Sequence, residues 1–304
     1  MQHATSSPTA SPPAWRAWVL ASRPKTLPAA AAPVLVGAAL AWHANVFHAL
    51  AVLAALLAAL LIQIGTNFAN DLYDFRKGAD TDTRLGPTRA TSAGWLSERE
   101  MVAGIVVTFG LAILLGSYLI FRGGWPVLVI GAASLLSGLA YTAGPFPLGY
   151  NALGDLFVFL FFGLVAVVGT YYVQALSTTT TASIAALPVG ALVTNILVVN
   201  NTRDADTDRV AGKRTLAVLF GRPATRVEFA LLNALAYAVP VWLWVSGAFG
   251  PWILLPFLTL PRAMQLTRTL ATRTDGPTLN GVLAATGQLS LHYAILFSLG
   301  ILLS

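Results

Sequence analysis

Apolar residues in this chain arrive in blocks long enough to cross a bilayer, and that limits the fold more than any single motif. The stretch from Phe47 to Ile64, for example, contains no Asp, Glu, Lys or Arg. A bilayer core takes about 20 helical residues to span. Backbone polar groups in lipid must also find partners within the chain. Helices meet both demands, and no run of alternating polarity suggests a barrel. The expected class is therefore an all-α polytopic membrane protein. Composition agrees: 56% of residues are hydrophobic and 10% are charged, against about 25% charged in soluble domains. With no cysteine, disulfides, thiolate metal sites and cysteine nucleophiles are excluded.

Nine spans are predicted: Thr26–Trp42, Phe47–Asn67, Met101–Phe121, Trp125–Thr142, Leu156–Ala175, Ala182–Asn201, Phe229–Ala248, Trp252–Leu270 and Leu279–Leu303. Pro28 and Pro33 predict a kink in the first, and Pro261 interrupts the eighth. Residues 1–14 are rich in Ser, Thr, Pro and Ala and read as a disordered tail; residues 15–304 form one transmembrane domain. Trp15 to Leu20 reads as an interfacial segment. With the N-terminus in the cytoplasm, all cations except Arg122 fall on the cytoplasmic side of this layout. That is the bias the positive-inside rule predicts. The net charge of +6 thus follows topology, and nucleic-acid binding is excluded.

Acidic residues are scarce, yet they gather at two places. Asn67, Asn70, Asp71 and Asp74 share one helical face, at the end of the second span. Asp80 and Asp82 follow. Asn201, Asp204 and Asp208 share a face at the end of the sixth span, with Asn200 and Asp206 beside them. The two regions form a weak internal echo. Clustered carboxylates near a membrane repel one another. Two readings compete: a solvated, internally paired surface, or a pair of Mg²⁺ sites facing a diphosphate. Two such faces, each closing a long apolar span, favour the second. Mg²⁺ takes oxygen ligands and is commonly held by carboxylates together with substrate phosphates. Arg84, Arg89, Arg203, Lys213 and Arg214 are candidate phosphate contacts. Gly78, Gly86 and Gly212 allow close backbone approach.

At these residues the chain resembles the UbiA superfamily of intramembrane prenyltransferases, through "NDLYD" at Asn70–Asp74 and "DADTD" at Asp204–Asp208. It is most similar to the MenA branch, the 1,4-dihydroxy-2-naphthoate polyprenyltransferases. That likeness rests on "RPKTLPAA" from Arg23, "GADTDTRLGPTR" from Gly78, "YTAGPFPLGYNALGD" from Tyr141 and "GTYYVQ" from Gly169. It also includes "NNTRDADTDRVAGKRTLAVLFG" from Asn200. Where the wider superfamily often has aspartate, position 78 is glycine, and Asp80 follows two residues later.

The resemblance implies nine helices around a central cavity capped by cytoplasmic loops. It implies transfer of a polyprenyl chain from an isoprenyl diphosphate to 1,4-dihydroxy-2-naphthoate, with loss of CO₂ and diphosphate, giving demethylmenaquinol. The expected location is the cytoplasmic membrane of a bacterium, with the site facing the cytoplasm. Asp71, Asp74 and Asp80 are candidate ligands of one Mg²⁺, supported by Asn67 and Asn70. Asp204 and Asp208 are candidates for a second, assisted by Asn201. Arg84, Arg89, Arg203 and Lys213 are the candidate diphosphate contacts. Tyr141, Tyr171 and Tyr172 are candidate stabilisers of an allyl cation, or else packing residues. Arg23 and Lys25 are candidates for the acceptor carboxylate, or mark the cytoplasmic helix end. Asp155 is either an acceptor-site residue or a helix-start residue. His292 is either functional or a helix-packing residue. Phe157 to Phe162 face lipid, other helices or the prenyl tail. Alternative functions are a UbiA-type enzyme with another acceptor or a phytyl donor, and an ion-coupled transporter. A transporter would place its acids deep within broken helices.

Overall fold

The structure is a computed structural model and describes residues 12–78 and 85–304. All regular elements among these are helical: α1 Ala14–Ala21, α2 Leu27–His43, α3 Ala49–Arg76, α4 Glu98–Gly123, α5 Trp125–Ala140, α6 Gly154–Val158, α7 Ala166–Ala175, α8 Thr180–Val210, α9 Leu216–Val245, α10 Leu260–Thr272 and α11 Gly276–Leu303. A π-helical stretch, Phe159–Val165, joins α6 to α7, and a 3₁₀ helix, Pro251–Thr259, leads into α10. Among the described residues, seven helical stretches have the length and apolarity to cross a membrane, and Trp125–Ala140 is a shorter apolar helix. The eighth expected span is the broken one. Pro256 and Pro261 lack the amide that a continuous helical ladder needs, so Pro251–Thr272 divides into its 3₁₀ and α parts.

The expected tail lies outside the described residues as far as residue 11, and α1 already begins at Ala14, the last residue assigned to it. The segment Trp15 to Leu20 is helical, with Trp15 exposed and Ala17 and Ala21 buried.

The chain alternates between two ends of the bundle. One end gathers the C-termini of α3 and α8 and the N-termini of α4, α9 and α11. Its neighbours are tied by Arg76 to Glu98 at 2.7 Å and Arg203 to Asn280 at 2.6 Å. The opposite end carries exposed Trp42, Trp125, Trp242, Trp244 and Trp252, the belt expected at a membrane–water boundary. Arg122, the exception to the cation bias, has a local reason to be there. Its guanidinium donates to the carbonyls of Val173 at 2.6 Å and Gln174 at 3.2 Å. These are carbonyls of the last turn of α7, which lack intrahelical partners.

Helix α8 runs through the middle of the packing. Small residues on its surface, among them Ala182, Ala185, Ala186 and Gly190, are fully or almost fully buried. In lipid, close backbone approach substitutes for the hydrophobic drive available in water. The tightest example is Gly163 against Gly190, where a methyl on Gly163 would stand 2.9 Å from the Gly190 Cα. Gly163 lies in the π-helical stretch, so the widened turn is seated directly on α8. Around α8, residues of α2, α9 and α11 complete the main apolar core, including Val36, Phe229 and Phe297. A second cluster joins α1, α3 and α4 through Ala17, Phe68 and Met101.

Candidate active site

Both acidic regions are helical, and both helices outrun the expected spans. Helix α3 continues past Asn67 to Arg76, and α8 continues past Asn201 to Val210. The apolar part of each helix crosses the bundle; the polar part stands above it on the same helix. The spacing then aims Asp71 and Asp74 from α3, and Asp204 and Asp208 from α8, into one cavity of about 590 Å³. Asn70, Asn201, Arg89, Arg203, Lys213, Tyr141, Arg23 and Lys25 also line it. Asp80 and Arg84 lie outside the described residues.

Each of these four aspartates already has a partner. Asp71 accepts from the backbone amides of Ala90 at 2.9 Å and Thr91 at 3.0 Å, which pins the segment after the first motif over the cavity. Asp74 forms a buried ion pair with Arg89 and accepts the Tyr150 hydroxyl at 2.8 Å. Asp204 takes Arg203 in a two-point contact, Nε at 2.7 Å and the terminal nitrogen at 2.6 Å. Arg203 also donates to Asn200 at 2.8 Å and Asn280 at 2.6 Å. Asp208 pairs with Lys213 at 3.1 Å. Cations therefore offset the crowding of carboxylates.

The donor chemistry fits a hard divalent cation. Ionised carboxylates accept about four hydrogen bonds or metal contacts each, so the acids above keep free lone pairs. Among the described residues, however, no three acidic or histidine side chains come together as one coordination group. Asp71, Asp74, Asp204 and Asp208 would hold Mg²⁺ from two opposing helix ends, sharing it with substrate oxygens.

Tyr150 was not singled out from sequence and joins the two halves of the site. The Lys77 ammonium stands 4.7 Å from its ring centroid and that of Lys213 4.9 Å. Its carbonyl accepts the Arg214 amide at 2.8 Å. Burial holds the Lys77 pKa below the ordinary lysine value; Asp74 opposes this and Lys213 adds to it. Lys77 also donates to the Thr142 carbonyl at 2.6 Å, and the Thr142 hydroxyl donates to Asn70 at 2.7 Å. No spacing rule links these residues; Asn70 and Lys77 belong to the end of α3, Thr142 and Tyr150 lie between α5 and α6, and only the fold brings them together.

Several expected site residues sit elsewhere. Tyr171 belongs to the main core, and the Tyr172 hydroxyl donates to the Gly123 carbonyl at 3.1 Å, at the end opposite the acidic motifs. Neither lines the acidic cavity, because α7 carries "TYYVQ" away from it; both are packing residues here. Asp155 is buried at the start of α6 and is not part of the cavity wall. Asn67 is buried and points to the turn before α2, donating to the Ser22 carbonyl at 2.9 Å and the Thr26 hydroxyl at 3.0 Å. It therefore supports Arg23, whose φ of 52° is left-handed, a conformation that persists only where surrounding contacts hold it. His292 is exposed on α11.

A second cavity, of about 490 Å³, lies deeper between α2, α3, α4, α5 and the α6–α7 stretch. Its wall is apolar and includes Ala58, Leu119, Leu135, Phe157, Phe161 and Phe162. The aromatic run whose surroundings sequence left open thus contributes to a cavity wall, with Phe157 and Phe161 stacked at 5.9 Å. Gln63, Thr66, Tyr141, Val158 and Phe162 line both cavities. A polar chamber and an apolar chamber accordingly meet at a common neck.

A family profile described as the UbiA prenyltransferase family matches residues 30–278. The chain is 35% identical over 300 residues to the 1,4-dihydroxy-2-naphthoate octaprenyltransferase of Haemophilus influenzae, covering 94% of this chain and 96% of that one. It is 32% identical over 287 residues to the enzyme of the same name from Bacillus subtilis, covering 94% and 92%. Among solved structures, a UbiA homolog from Archaeoglobus fulgidus bound to GPP and Mg²⁺ superposes with a TM-score of 0.68 at 15% identity. That superposition covers 95% of this chain and 100% of the other.

Proposed function

The chain belongs to the UbiA prenyltransferase family, and from that premise we propose that it is a Mg²⁺-dependent 1,4-dihydroxy-2-naphthoate polyprenyltransferase of menaquinone biosynthesis. It works in the cytoplasmic membrane of a bacterium, with the acidic chamber facing the cytoplasm. The observation that carries the reading is the meeting of the two chambers. An isoprenyl diphosphate has one strongly anionic end and one long apolar end, and the adjoining cavities match that division.

The residues divide the work as follows. Arg89, Arg203 and Lys213 bring positive charge to the diphosphate end, where charge grows as the allylic C1–O bond breaks and its electron pair leaves with diphosphate. Preorganised charge aimed at such a leaving group is a large contributor to catalysis. Asp71, Asp74, Asp204 and Asp208 would hold Mg²⁺, which when bound would supply Lewis-acid neutralisation of that developing charge. The apolar wall of the deeper chamber excludes water from the allyl cation, and Tyr141 at the neck offers it an aromatic face. Arg23 and Lys25 receive the acceptor carboxylate. Ring attack forms the new C–C bond at the carboxyl-bearing carbon. Loss of CO₂ returns the electron pair of the broken bond to the ring, so the acceptor regains aromaticity without an outside proton.

The test is reconstitution. Purified protein with Mg²⁺, geranylgeranyl diphosphate and 1,4-dihydroxy-2-naphthoate is expected to release CO₂ and form a prenylated product. Turnover with 4-hydroxybenzoate or homogentisate but not with the naphthoate would move the enzyme to another branch of the family. The donor's chain length is read from a series of isoprenyl diphosphates, with a phytyl donor among them.

A further inference from the structure

We propose that the neck between the two chambers is a binding site for a hydroxyaromatic acceptor, and that Gln63 receives a hydrogen bond there from a phenolic hydroxyl. The inference rests on the prenyl-transfer reading above and specifies where the second substrate sits.

The location follows from the donor. Its diphosphate occupies the acidic chamber and its hydrocarbon the apolar one, so the allylic C1 that connects them lies at their common wall. Reacting atoms in a productive complex are about 3–3.5 Å apart. The acceptor ring must therefore reach the same neck, which Gln63, Thr66, Tyr141, Val158 and Phe162 form. Among these, Gln63 is the residue whose polar end is oriented by its neighbours.

That orientation can be derived. A carbonyl oxygen only accepts, so the Asn67 atom 2.9 Å from the Ser22 carbonyl is the Asn67 amide nitrogen. Asn67 then turns its Oδ1 toward Gln63, and the Gln63 atom facing it, at 3.4 Å, is the NH₂ group. The same NH₂ stands 3.5 Å from the Thr26 hydroxyl oxygen, which itself donates to the Arg23 carbonyl at 2.9 Å. Two long contacts thus hold the amide nitrogen toward the α1–α2 turn. The Gln63 Oε1 has no hydrogen-bond partner among the described residues. It is an acceptor, on a half-buried residue, at the place where the ring must stand.

The turn that orients Gln63 also carries Arg23 and Lys25, which line the acidic chamber. One acceptor molecule bearing a carboxylate and a phenol can meet both: the carboxylate at the cationic turn, the hydroxyl at Gln63. An alkyl or non-hydroxylated ring would leave Oε1 unpaired. A site built to pair a hydroxyl discriminates strongly against analogues that lack it.

The experiment compares wild type with Gln63→Met, which keeps side-chain length and removes the acceptor oxygen. Loss of one neutral hydrogen bond corresponds to about a three- to tenfold change in binding. The expected result is a rise of that order in KM for 1,4-dihydroxy-2-naphthoate, with KM for geranylgeranyl diphosphate unchanged. Binding of the naphthoate without donor, followed by its own fluorescence, weakens by the same factor. On the wild-type protein, one of the two monohydroxy-2-naphthoates binds less well than the dihydroxy compound, and Gln63→Met erases that difference. The wild-type analogue series stands even if the variant is poorly folded. Unchanged acceptor affinity in Gln63→Met, equal shifts in both KM values, or equal binding of all three naphthoates overturns the proposal. Failure of the wild type to prenylate the dihydroxynaphthoate at all would instead remove the reading beneath it, and this inference with it.

Discussion

The Tyr150 hydroxyl donates to the Asp74 carboxylate at 2.8 Å, so a loop before α6 is fastened to the helix that carries the first acidic motif. The same tyrosine presents its ring to Lys213, which pairs with Asp208 of the second motif. The two halves of the chamber therefore share one side chain that is itself neither acid nor base in the proposed chemistry.

Tyr150→Phe keeps the ring and removes the hydroxyl. A hydrogen bond to a charged group contributes about 1.5–3 kcal/mol, equivalent to tenfold or more. We expect KM for the isoprenyl diphosphate to rise by about tenfold, with the acceptor KM nearly constant. Steady-state kinetics with each substrate varied in turn decide this. A variant with wild-type constants would show that the contact does not position Asp74.

Asp71 and Asp208 are predicted to fail in different ways. Asp208→Ala loses most turnover while thermal unfolding in detergent changes little, since its Lys213 partner is partly exposed. Asp71→Ala loses turnover and also stability, because two buried amides, of Ala90 and Thr91, lose their acceptor. Each buried unsatisfied group costs about 1–3 kcal/mol. Equal melting temperatures for the two variants would contradict the structural role given to Asp71.

Removing divalent metal should stop the reaction without unfolding the protein. Asp71, Asp74, Asp204 and Asp208 are already paired with Arg89, Arg203, Lys213 and backbone amides, so the fold is expected to stand without a bound ion. Chelation with EDTA is expected to abolish product formation while the circular dichroism spectrum and melting curve persist. Added Mg²⁺ should restore turnover. Activity that survives chelation would overturn the metal assignment.

Gly169 lines the apolar chamber, and a Cβ built there meets no atom within 4 Å. Gly169→Phe should consequently fill chamber space rather than disturb the packing. The expected change is a shift in kcat/KM toward shorter isoprenyl diphosphates, measured across a donor series from geranyl upward. An unaltered length profile would place the prenyl chain outside this chamber.

Much of this architecture can be read from the chain alone. The apolar blocks determine the helices, because backbone in lipid has no other partner, and the cation bias orders them across a membrane. The spacing of Asp71 with Asp74, and of Asp204 with Asp208, puts each pair on one helical face, since that depends only on local periodicity. Family motifs supply the chemistry. Tertiary structure decided the rest. Whether Tyr141 or Tyr172 reaches the site depends on which end of the bundle its helix end occupies, and both carry the same side chain. Tyr150 and Lys77 became visible only after packing, because their partners Asp74 and Thr142 are far away in sequence, and Gln63 because the neck it lines is built from separate segments. The neck itself belongs to no segment. It exists because α3, the loop after α5 and the α6–α7 stretch meet there, and such a meeting follows from the fit of many side chains rather than from the pattern of any one helix.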